Sequence, residues 1–389
     1  MKFFHISDLH IGKTLHLYDM KQQQRDVFSQ IIEYAKEQRP DAILIAGDIY
    51  DKSAPSGEAF DLFNELLNEF AAIEPAIPVL IISGNHDSNL RLNYASSFLE
   101  KNQIYIAAGL PQSQDEYLKK VVLEDAWGNV NFYLLPFTKP IDAKNLFGEE
   151  CEVKTYDEAV AAMLQREKID YTQRNVLLSH QFYIASGKEP DRRDSEMRYI
   201  SVGGIDSVDV SHVSKFDYVA LGHIHTSQRI GAEHIRYSGT PLKYSVSEAT
   251  DEKSITVVEL SQKGDLKIDF LPLVMKRDIK KLRGSLAEIL AMASASLKED
   301  YVSITLTDEE VLFRPKDRLQ EFYDYIIEIL IDNTRVNTVL KAHEAQEEID
   351  DPYLLFREFY QEMNGQPMSQ KEEEIINRVI DNVIAANNE

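Results

Sequence analysis

The chain has 389 residues, of which 43% are apolar and 10% aromatic, a composition typical of a soluble globular protein of two or three domains. Its 65 acidic and 42 basic residues give a net charge of −23, which disfavours capture of nucleic acid by a broad basic surface. The single cysteine, Cys151, excludes an internal disulfide, and no apolar run approaches the ~18 to 20 residues of a membrane span. With no apolar secretion signal before the first predicted strand, these features predict a cytoplasmic protein without a membrane partner.

The first two-thirds of the chain alternates apolar runs typical of buried strands with amphipathic segments typical of helices. The predicted strands are residues 3–6, 42–46, 79–82, 121–123, 130–135, 175–178, 218–221, 235–237, 255–260 and 266–271. The predicted helices are residues 19–38, 57–70, 90–100 and 156–166. A hairpin turn is predicted at Gly128-Asn129, with Trp127 as a packing residue. The pattern predicts a layered α/β domain over residues 1–273, with mixed β-sheets flanked by helices.

Two further regions follow. Residues 276–345 predict a small α+β capping domain that positions substrate, with helices at 282–297 and 316–331 and strands at 301–306 and 338–340. Residues 350–389 predict two amphipathic helices, one over 352–363 and one capped by Ser369 with Glu372. Two short helices cannot bury their apolar faces alone, so either a partner protein or the rest of this chain covers them.

Polar motifs follow five of the predicted strands, at the position where open α/β sheets place their ligands. The motifs are Asp8-Leu9-His10, Gly47-Asp48, Gly84-Asn85-His86-Asp87, Ser179-His180 and Gly222-His223-Ile224-His225. Carboxylate, imidazole and amide groups without thiolates indicate hard or borderline divalent cations and argue against a structural zinc site. We therefore predict that seven side chains bind two cations: Asp8, His10, Asp48, Asn85, His180, His223 and His225.

Two cations ~3.5–4 Å apart can activate a water and stabilise in-line displacement at a phosphate. His86 is not needed as a ligand, so we expect it to act as general acid toward the leaving oxygen or to stabilise charge on the phosphate. Asp87 would orient His86 or a nearby backbone group. Gly47, Gly84 and Gly222 would let the backbone turn sharply beside the cations.

The remaining polar features have simpler interpretations. His5 lies within the first predicted strand and is expected in the core. His16 is expected in a plain loop, and residues 187–198, which carry three arginines, in a solvated loop. The histidines without ligand-type neighbours are expected at the surface: His212, His234 and His343.

The ordered set of motifs resembles the calcineurin-like metallophosphoesterases, and nearly the whole chain resembles the SbcD family of bacterial nuclease subunits. Asp51 and residues 237–244, followed by Ser247-Glu248, carry the second resemblance. It implies a Mn²⁺-dependent nuclease that cleaves double-stranded DNA ends as a 3′–5′ exonuclease and hairpins as an endonuclease, in DNA repair, recombination and replication. The SbcC ATPase would be its partner and would gate cleavage by ATP hydrolysis.

The same resemblance implies roles for individual residues and segments. One Mn²⁺, or another divalent ion such as Mg²⁺, would be bound by Asp8, His10, Asp48 and His225. The second would be bound by Asp48, Asn85, His180 and His223, with His86 as the catalytic histidine. Residues 57–70 and 90–100 would pair two copies in a homodimer, within a heterotetramer with SbcC. Residues 350–389 would bind the base of the SbcC coiled coil.

Two other functions remain open at this stage. A phosphatase or phosphodiesterase acting on small phosphorylated molecules would use the same fold, but it would not need the capping domain or the tail. A non-catalytic scaffold would have no reason to keep seven polar groups at strand ends. The charge of −23 weighs against DNA binding unless bound cations and a basic partner offset it.

Overall fold

The computed structural model describes residues 1–148, 152–196, 206–310, 312–333 and 367–387, together with residues 353, 356, 357 and 360. The chain divides into two compact units. The first comprises Met1–Leu282, Met292–Ile304 and Lys316–Ile329, and the second comprises Arg283–Ala291, Thr305–Pro315 and Leu330–Glu389. The predicted domain boundaries stay a prediction.

Strands make up much of the described chain. In order they are β1 Lys2–Ile6, β2 Thr14–Leu15, β3 Tyr18–Asp19, β4 Ala42–Ala46, β5 Val79–Ile82, β6 Ile104–Ala107, β7 Lys119–Asp125, β8 Gly128–Leu135, β9 Arg174–Ser179, β10 Phe182–Ile184, β11 Ser207–Asp209, β12 Tyr218–Leu221, β13 Gln228–Ile230, β14 Ala232–Tyr237, β15 Ser254–Leu260, β16 Leu266–Pro272, β17 Ile279–Gly284, β18 Tyr301–Leu306 and β19 Tyr325–Ile331.

The helices are α1 Lys21–Gln38, α2 Gly57–Ala71, α3 Asn89–Leu92, α4 Ser96–Leu99, α5 Pro140–Phe147, α6 Tyr156–Arg166, α7 Leu286–Ala291, α8 Ala295–Glu299, α9 Pro315–Gln320 and α10 Gln370–Asn387. No helix in the described part of the chain has both the length and the apolar composition that crossing a bilayer requires.

Two six-stranded mixed sheets form the centre of the first unit. The strand order of one is β16-β15-β1-β4-β5-β6, and that of the other is β13-β14-β12-β9-β8-β7. In the first sheet β1, β4, β5 and β6 run parallel, while in the second β14, β12, β9 and β8 do. The predicted ligand motifs follow β1, β4, β5, β9 and β12, all of which are parallel strands. Their carboxyl ends therefore bring these motifs together.

Apolar side chains fill three layers around these sheets. Between the sheets, the ring of Phe3 meets that of Phe132 edge-on, with centroids 5.7 Å apart. Outside the first sheet, α1 and α2 bury residues such as Phe28 and Phe63 against it. Outside the second, α5 and α6 contribute buried residues such as Met163. Strands covered on both faces must be apolar throughout, which is why they could be identified as continuous apolar runs. This arrangement confirms the predicted layered α/β fold.

Three predicted helices are wrong in extent or type. Residues 90–100 form two short helices, because Ala95 has a positive φ of 61° that interrupts them. Residues 279–284 form a strand, and the following helix begins only after Ser285, whose backbone N–H donates to Glu288. Residues 325–331 are a strand rather than the end of a helix, because this isoleucine-rich run pairs in a three-stranded sheet with β18.

Smaller features differ in detail. The β7–β8 hairpin turns at residues 126–127 rather than at Gly128-Asn129, and Trp127 is 56% exposed, so the packing role predicted for it is wrong. At the C-terminal helix, the backbone N–H of Ser369 donates to Glu372 at 2.8 Å, which is the glutamate half of the predicted cap; the Ser369 hydroxyl donates to the same carboxylate at 2.6 Å. Cys151, His343, the strand predicted at 338–340 and most of the helix predicted at 352–363 lie outside the described residues.

Candidate metal centre

The side chains predicted as cation ligands converge where the parallel strands of the two sheets end. Three overlapping groups each offer ligand atoms that lie within 4.8 Å of one another. They are Asp8, His10 and His225; His10, Asp48 and His86; and Asp8, Asp48 and His180. The remaining two predicted ligands, Asn85 and His223, join the cluster through hydrogen-bond distances described below. Residues from five separate strand ends thus form one cluster that could hold metal ions.

Asp48 lies at the middle of the cluster. Its Oδ2 is 3.4 Å from Nε2 of His180, 3.7 Å from Nε2 of His10 and 3.8 Å from Nε2 of His86. Its Oδ1 accepts a hydrogen bond from the backbone N–H of His86 at 2.9 Å. A carboxylate that faces imidazoles on both sides has the position expected of a ligand shared by two cations.

On one side of Asp48 the cluster is built from an amide and two imidazoles. Oδ1 of Asn85 lies 3.1 Å from Nε2 of His180 and 3.0 Å from Nδ1 of His223. Nδ1 of His180 donates to the carbonyl of Ala46 at 2.7 Å, so its Nε2 carries a lone pair toward the cluster whenever the ring is neutral.

On the other side, two imidazoles meet beside Asp8. Nε2 of His10 lies 3.1 Å from Nε2 of His225, and Nδ1 of His225 lies 2.7 Å from Oγ of Ser195. The Asp8 carboxylate accepts the backbone N–H of His223 at 3.0 and 3.1 Å. This hydrogen bond ties the first motif of the chain to the last.

The backbone around the cluster is held in uncommon conformations. Four of the predicted ligands have a positive φ: Asp8 at 54°, His10 at 43°, Asp48 at 49° and His223 at 98°. Non-glycine residues in this region are strained by about 1 to 3 kcal/mol each, and such residues concentrate at functional sites. The strain marks this cluster as a site that is maintained for its geometry.

Two glycines let the chain approach the ligands closely. A Cβ at Gly84 would lie 2.1 Å from Oδ1 of Asp48, and one at Gly222 would lie 1.9 Å from the carbonyl oxygen of Ala46. Any larger residue at either position would displace the cluster, as expected from the glycine-containing motifs.

Burial sets the charge state of the imidazoles. It lowers the pKa of His10 and His225 well below the usual value and that of His223 to about 3, so all three are neutral and able to act as ligands. His180 differs: burial opposes its charge, but the nearby carboxylates of Asp48 and Asp8 raise its pKa to about 9.

The buried carboxylates of Asp8 and Asp48 lie close together and require positive charge nearby. Burial, reinforced by the charge of Asp48, raises the pKa of Asp8 to about 7 despite the opposing effect of His180. Buried carboxylates are costly unless they are paired or bound to a cation. His10 directs its Nε2 toward both Asp48 and His225, while its Nδ1 lies 3.6 Å from Oδ1 of Asp51. Together with a donor set of oxygen and imidazole nitrogen atoms, these observations fit hard or borderline divalent cations.

His86 and Asp87 lie at the edge of the cluster and differ in what they contact. Nδ1 of His86 donates to the carbonyl of Asp51 at 2.8 Å. Its Nε2 is the atom that faces Asp48, at a distance that allows it to act either as a proton donor or as a ligand. The Asp87 carboxylate accepts the backbone N–H groups of Ile49, Tyr50 and Gly84 at 2.9 to 3.1 Å. Asp87 was expected to orient either His86 or a nearby backbone group. Its contacts fit the second role, because all three are to backbone N–H groups.

Residues that support His225 were missed from the sequence. Oγ of Ser195 lies 2.9 Å from Oε1 of Glu248, and the backbone N–H of His225 donates to Oε1 of Glu196 at 2.5 Å. Lys253 pairs with Glu248 at 2.7 Å and donates to the carbonyl of His225 at 3.0 Å. The prediction of a solvated loop at 187–198 is therefore wrong at Ser195 and Glu196. A buried glutamate within a polar, charged stretch left no periodic signal in the sequence.

The other histidines lie away from the cluster. His5 is buried and its Nδ1 lies 2.9 Å from Oη of Tyr218, which confirms a core position. His16 is exposed. His212 contacts Asp157, and His234 contacts the carbonyl of Ser214.

Comparisons with known proteins agree with the site. A family model described as calcineurin-like phosphoesterase matches residues 1–227, and one described as type 5 capsule protein repressor C-terminal domain matches residues 275–364. A protein from Staphylococcus epidermidis that is named as the SbcD component of the nuclease SbcCD is 31% identical over 387 residues, which cover 98% of each chain. The protein of the same name from Staphylococcus saprophyticus is 29% identical over 383 residues, again 98% of each chain. A dimetal phosphatase from Danio rerio is 15% identical, with a TM-score of 0.40 over 71% of this chain and 97% of that one.

Proposed function

The chain belongs to the calcineurin-like phosphoesterase family, in its SbcD branch, and on that premise we propose that it is a metal-dependent DNA nuclease. The observation that carries the proposal is the single cluster formed by Asp8, His10, Asp48, His180 and His225 from separate strand ends. Full-length relatedness to proteins named as nuclease components favours a nucleic acid substrate over a small phosphorylated molecule.

The proposed ligand sets follow the two sides of the cluster. One cation would be held by Asp8, His10, Asp48 and His225, and the other by Asp48, Asn85, His180 and His223. Both sets combine carboxylate or amide oxygen with imidazole nitrogen, which suits Mn²⁺ and also accommodates Mg²⁺. Bound cations would supply Lewis acidity to the phosphodiester and to the attacking water.

His86 is the proposed proton donor. Because its Nδ1 donates to the carbonyl of Asp51, the ring is held with Nε2 toward Asp48 and the space where a phosphodiester would bind. From Nε2 a proton can pass to the oxygen that leaves when the P–O bond breaks. Asp87 supports this role indirectly, because its three backbone hydrogen bonds fix the loops that carry Asp48 and His86.

The proposed partners of this chain are inferred from the names of its relatives. The names of the two bacterial relatives include the SbcCD complex, and we propose that this chain pairs with an SbcC ATPase and forms a homodimer within that assembly. Double-stranded DNA ends and hairpins are the proposed substrates, with cleavage gated by ATP hydrolysis in SbcC. A basic partner surface together with bound cations would offset the net charge of −23.

The test is a cleavage assay on linear and hairpin DNA with Mn²⁺, run with and without SbcC and ATP. We expect cleavage that EDTA abolishes and that falls at least about a hundredfold in Asp48→Asn, because that residue contacts both sides of the cluster. His212→Gln is the matched control, since His212 lies outside the cluster. Cleavage that persists undiminished in EDTA would falsify the proposal.

A further inference from the structure

A cavity opens directly beside the candidate metal centre. Its volume is about 220 Å³, and Asn85 and His223 of the cluster form part of its wall. Pockets for drug-sized ligands occupy roughly 300 to 1,000 Å³, so this cavity suits a single ring system. Because the cavity shares two residues with the cluster, a group bound in it would lie close to any phosphate bound at the cluster. We call it the Phe137 pocket, after the residue on its wall that lies beside His223.

Three aromatic residues contribute to the walls: Phe137, Tyr156 and Phe182. The ring of Phe137 lies 5.8 Å from that of Tyr156 and is nearly parallel to that of His223, at an interplanar angle of 25° and a distance of 6.4 Å. Phe182 is buried and the guanidinium of Arg192 covers its ring at 4.4 Å, so the half-buried Phe137 and Tyr156 are the rings offered to a ligand. Aromatic walls bind flat heterocycles by stacking, and this interaction tolerates any base.

The polar part of the wall comes from Gln181, Asp206 and Lys139. Gln181 is fully buried, and its Nε2 donates to the carbonyl of Thr138 at 3.0 Å. Its Oε1 has no partner among the described residues and therefore remains an acceptor in need of a donor. Asp206 adds a carboxylate to the same wall, and Lys139 adds an exposed cation. A ligand with N–H groups on its edge and a phosphate attached would match this combination.

We propose that the Phe137 pocket receives the nucleobase adjacent to the scissile phosphate. This inference rests on the proposed nuclease function and specifies how its substrate is held. The base would stack against Phe137 and Tyr156 and donate an N–H to Gln181, while Lys139 would neutralise a flanking phosphate. A base can enter only after it leaves the duplex, which is easiest at a frayed end. The pocket therefore favours attack near DNA ends and in the loops of hairpins.

The test compares normal DNA with DNA that carries one abasic tetrahydrofuran residue. The residue is placed in turn at each of the first two positions of either strand, and kcat/KM is measured with Mn²⁺. The wild-type protein should cleave normal DNA about tenfold faster than the least favourable abasic substrate, the size of one lost stacking contact. More fraying at an abasic end would accelerate cleavage, so a decrease cannot come from duplex stability.

Variants assign this discrimination to the pocket. In Tyr156→Ala, the ratio of the two rates should fall from about ten to near one, because the base loses an aromatic wall. Trp127→Ala removes an exposed aromatic residue elsewhere and should keep the wild-type ratio. Gln181→Met provides a second variant if Tyr156→Ala does not fold, and it should also lower the ratio.

The outcomes separate the two proposals. If the wild-type protein cleaves normal and abasic DNA equally, the pocket proposal is wrong and the nuclease function stands. A Tyr156→Ala protein that loses activity but keeps the tenfold ratio also overturns it, because the residue would then have only a structural role. If no DNA is cleaved with Mn²⁺ even with SbcC and ATP, the proposed function fails and this inference fails with it.

Discussion

Nε2 of His10 lies 3.1 Å from Nε2 of His225, across 215 positions of the sequence. Burial lowers the pKa of both rings well below the usual value, so two neutral imidazoles face each other in the interior. The pair is neither a salt bridge nor a core contact of apolar groups. At this distance one ring can donate its Nε2–H to the other, or both can direct a lone pair toward a cation held together with Asp8, which is the role we propose for them.

The first prediction concerns stability. Adding Mn²⁺ should raise the unfolding temperature of the purified protein, because a ligand that binds only the folded state stabilises it by about 2.7 kcal/mol at a concentration a hundredfold above Kd. His225→Ala should lose a large part of this gain, whereas His212→Ala should keep it. Differential scanning calorimetry with and without Mn²⁺ measures both. An equal Mn²⁺ shift in His225→Ala and in the wild-type protein would exclude His225 as a ligand.

The second prediction separates the two roles that geometry allows for His86. As a proton donor, it should be dispensable for metal binding, so His86→Ala should retain the Mn²⁺ content of the wild-type protein. Cleavage should fall about 10²- to 10⁴-fold, the usual contribution of a general acid. Metal analysis and a DNA cleavage assay on the same preparation decide the matter. Loss of Mn²⁺ from this variant would make His86 a ligand instead.

The third prediction concerns the support of His225. The single proton of Ser195 Oγ can be donated to Glu248, which leaves Oγ to accept Nδ1–H of His225 and directs the Nε2 lone pair toward His10. Ser195→Ala should weaken Mn²⁺ binding about 10- to 100-fold, as is usual when a ligand loses its orienting partner.

Ser195→Thr retains the hydroxyl and should restore most of the Mn²⁺ affinity lost in Ser195→Ala. A titration of Mn²⁺ against activity reports this as a shift in the midpoint with little change in the plateau. If the plateau falls while the midpoint stays, Ser195 contributes to folding rather than to ligand orientation.

The fourth prediction concerns pH. The Arg174 guanidinium, bound to Asp125 at 2.5 and 3.0 Å, holds the pKa of that carboxyl well below its usual range. A group whose pKa is depressed by folding contributes stability that is present above its unfolded pKa of about 3.9 and is lost as the pH falls below it. The difference in unfolding free energy between wild type and Asp125→Asn should therefore be largest near neutral pH and shrink in acid.

Urea unfolding at pH 7 and at pH 3 measures this difference. Glu124→Gln, one position away on the same strand, serves as the control, because Arg174 does not contact Glu124 in the described structure. A difference that is as large at pH 3 as at pH 7 would mean that Asp125 contributes through something other than its charge.

The local sequence predicted the structure correctly wherever the pattern of one segment was sufficient to determine it. The strands before Asp8, Asp48 and Asn85 were identified because a strand buried on both faces must be apolar throughout. It was misleading at residues 325–331, a short apolar run that suits a helix or a strand equally, and at residues 282–284, the end of a largely basic strand; in both cases the pairing partner decides. Ala95 interrupts a predicted helix because its φ is positive, and an alanine in the sequence gives no indication of such a backbone conformation.

The sequence by itself determined which side chains could act as ligands, because each stands directly after an apolar strand and in a motif whose composition has few other uses. Only the tertiary structure decided what supports and surrounds them. Ser195 and Lys253 contact His225 from segments with no fixed spacing to it, and Glu248 contacts both of them. The acceptor of Gln181 is left unsatisfied only because the fold buries it. Periodicity and motif spacing describe neighbours along the chain, whereas these contacts depend on how distant segments approach one another in three dimensions.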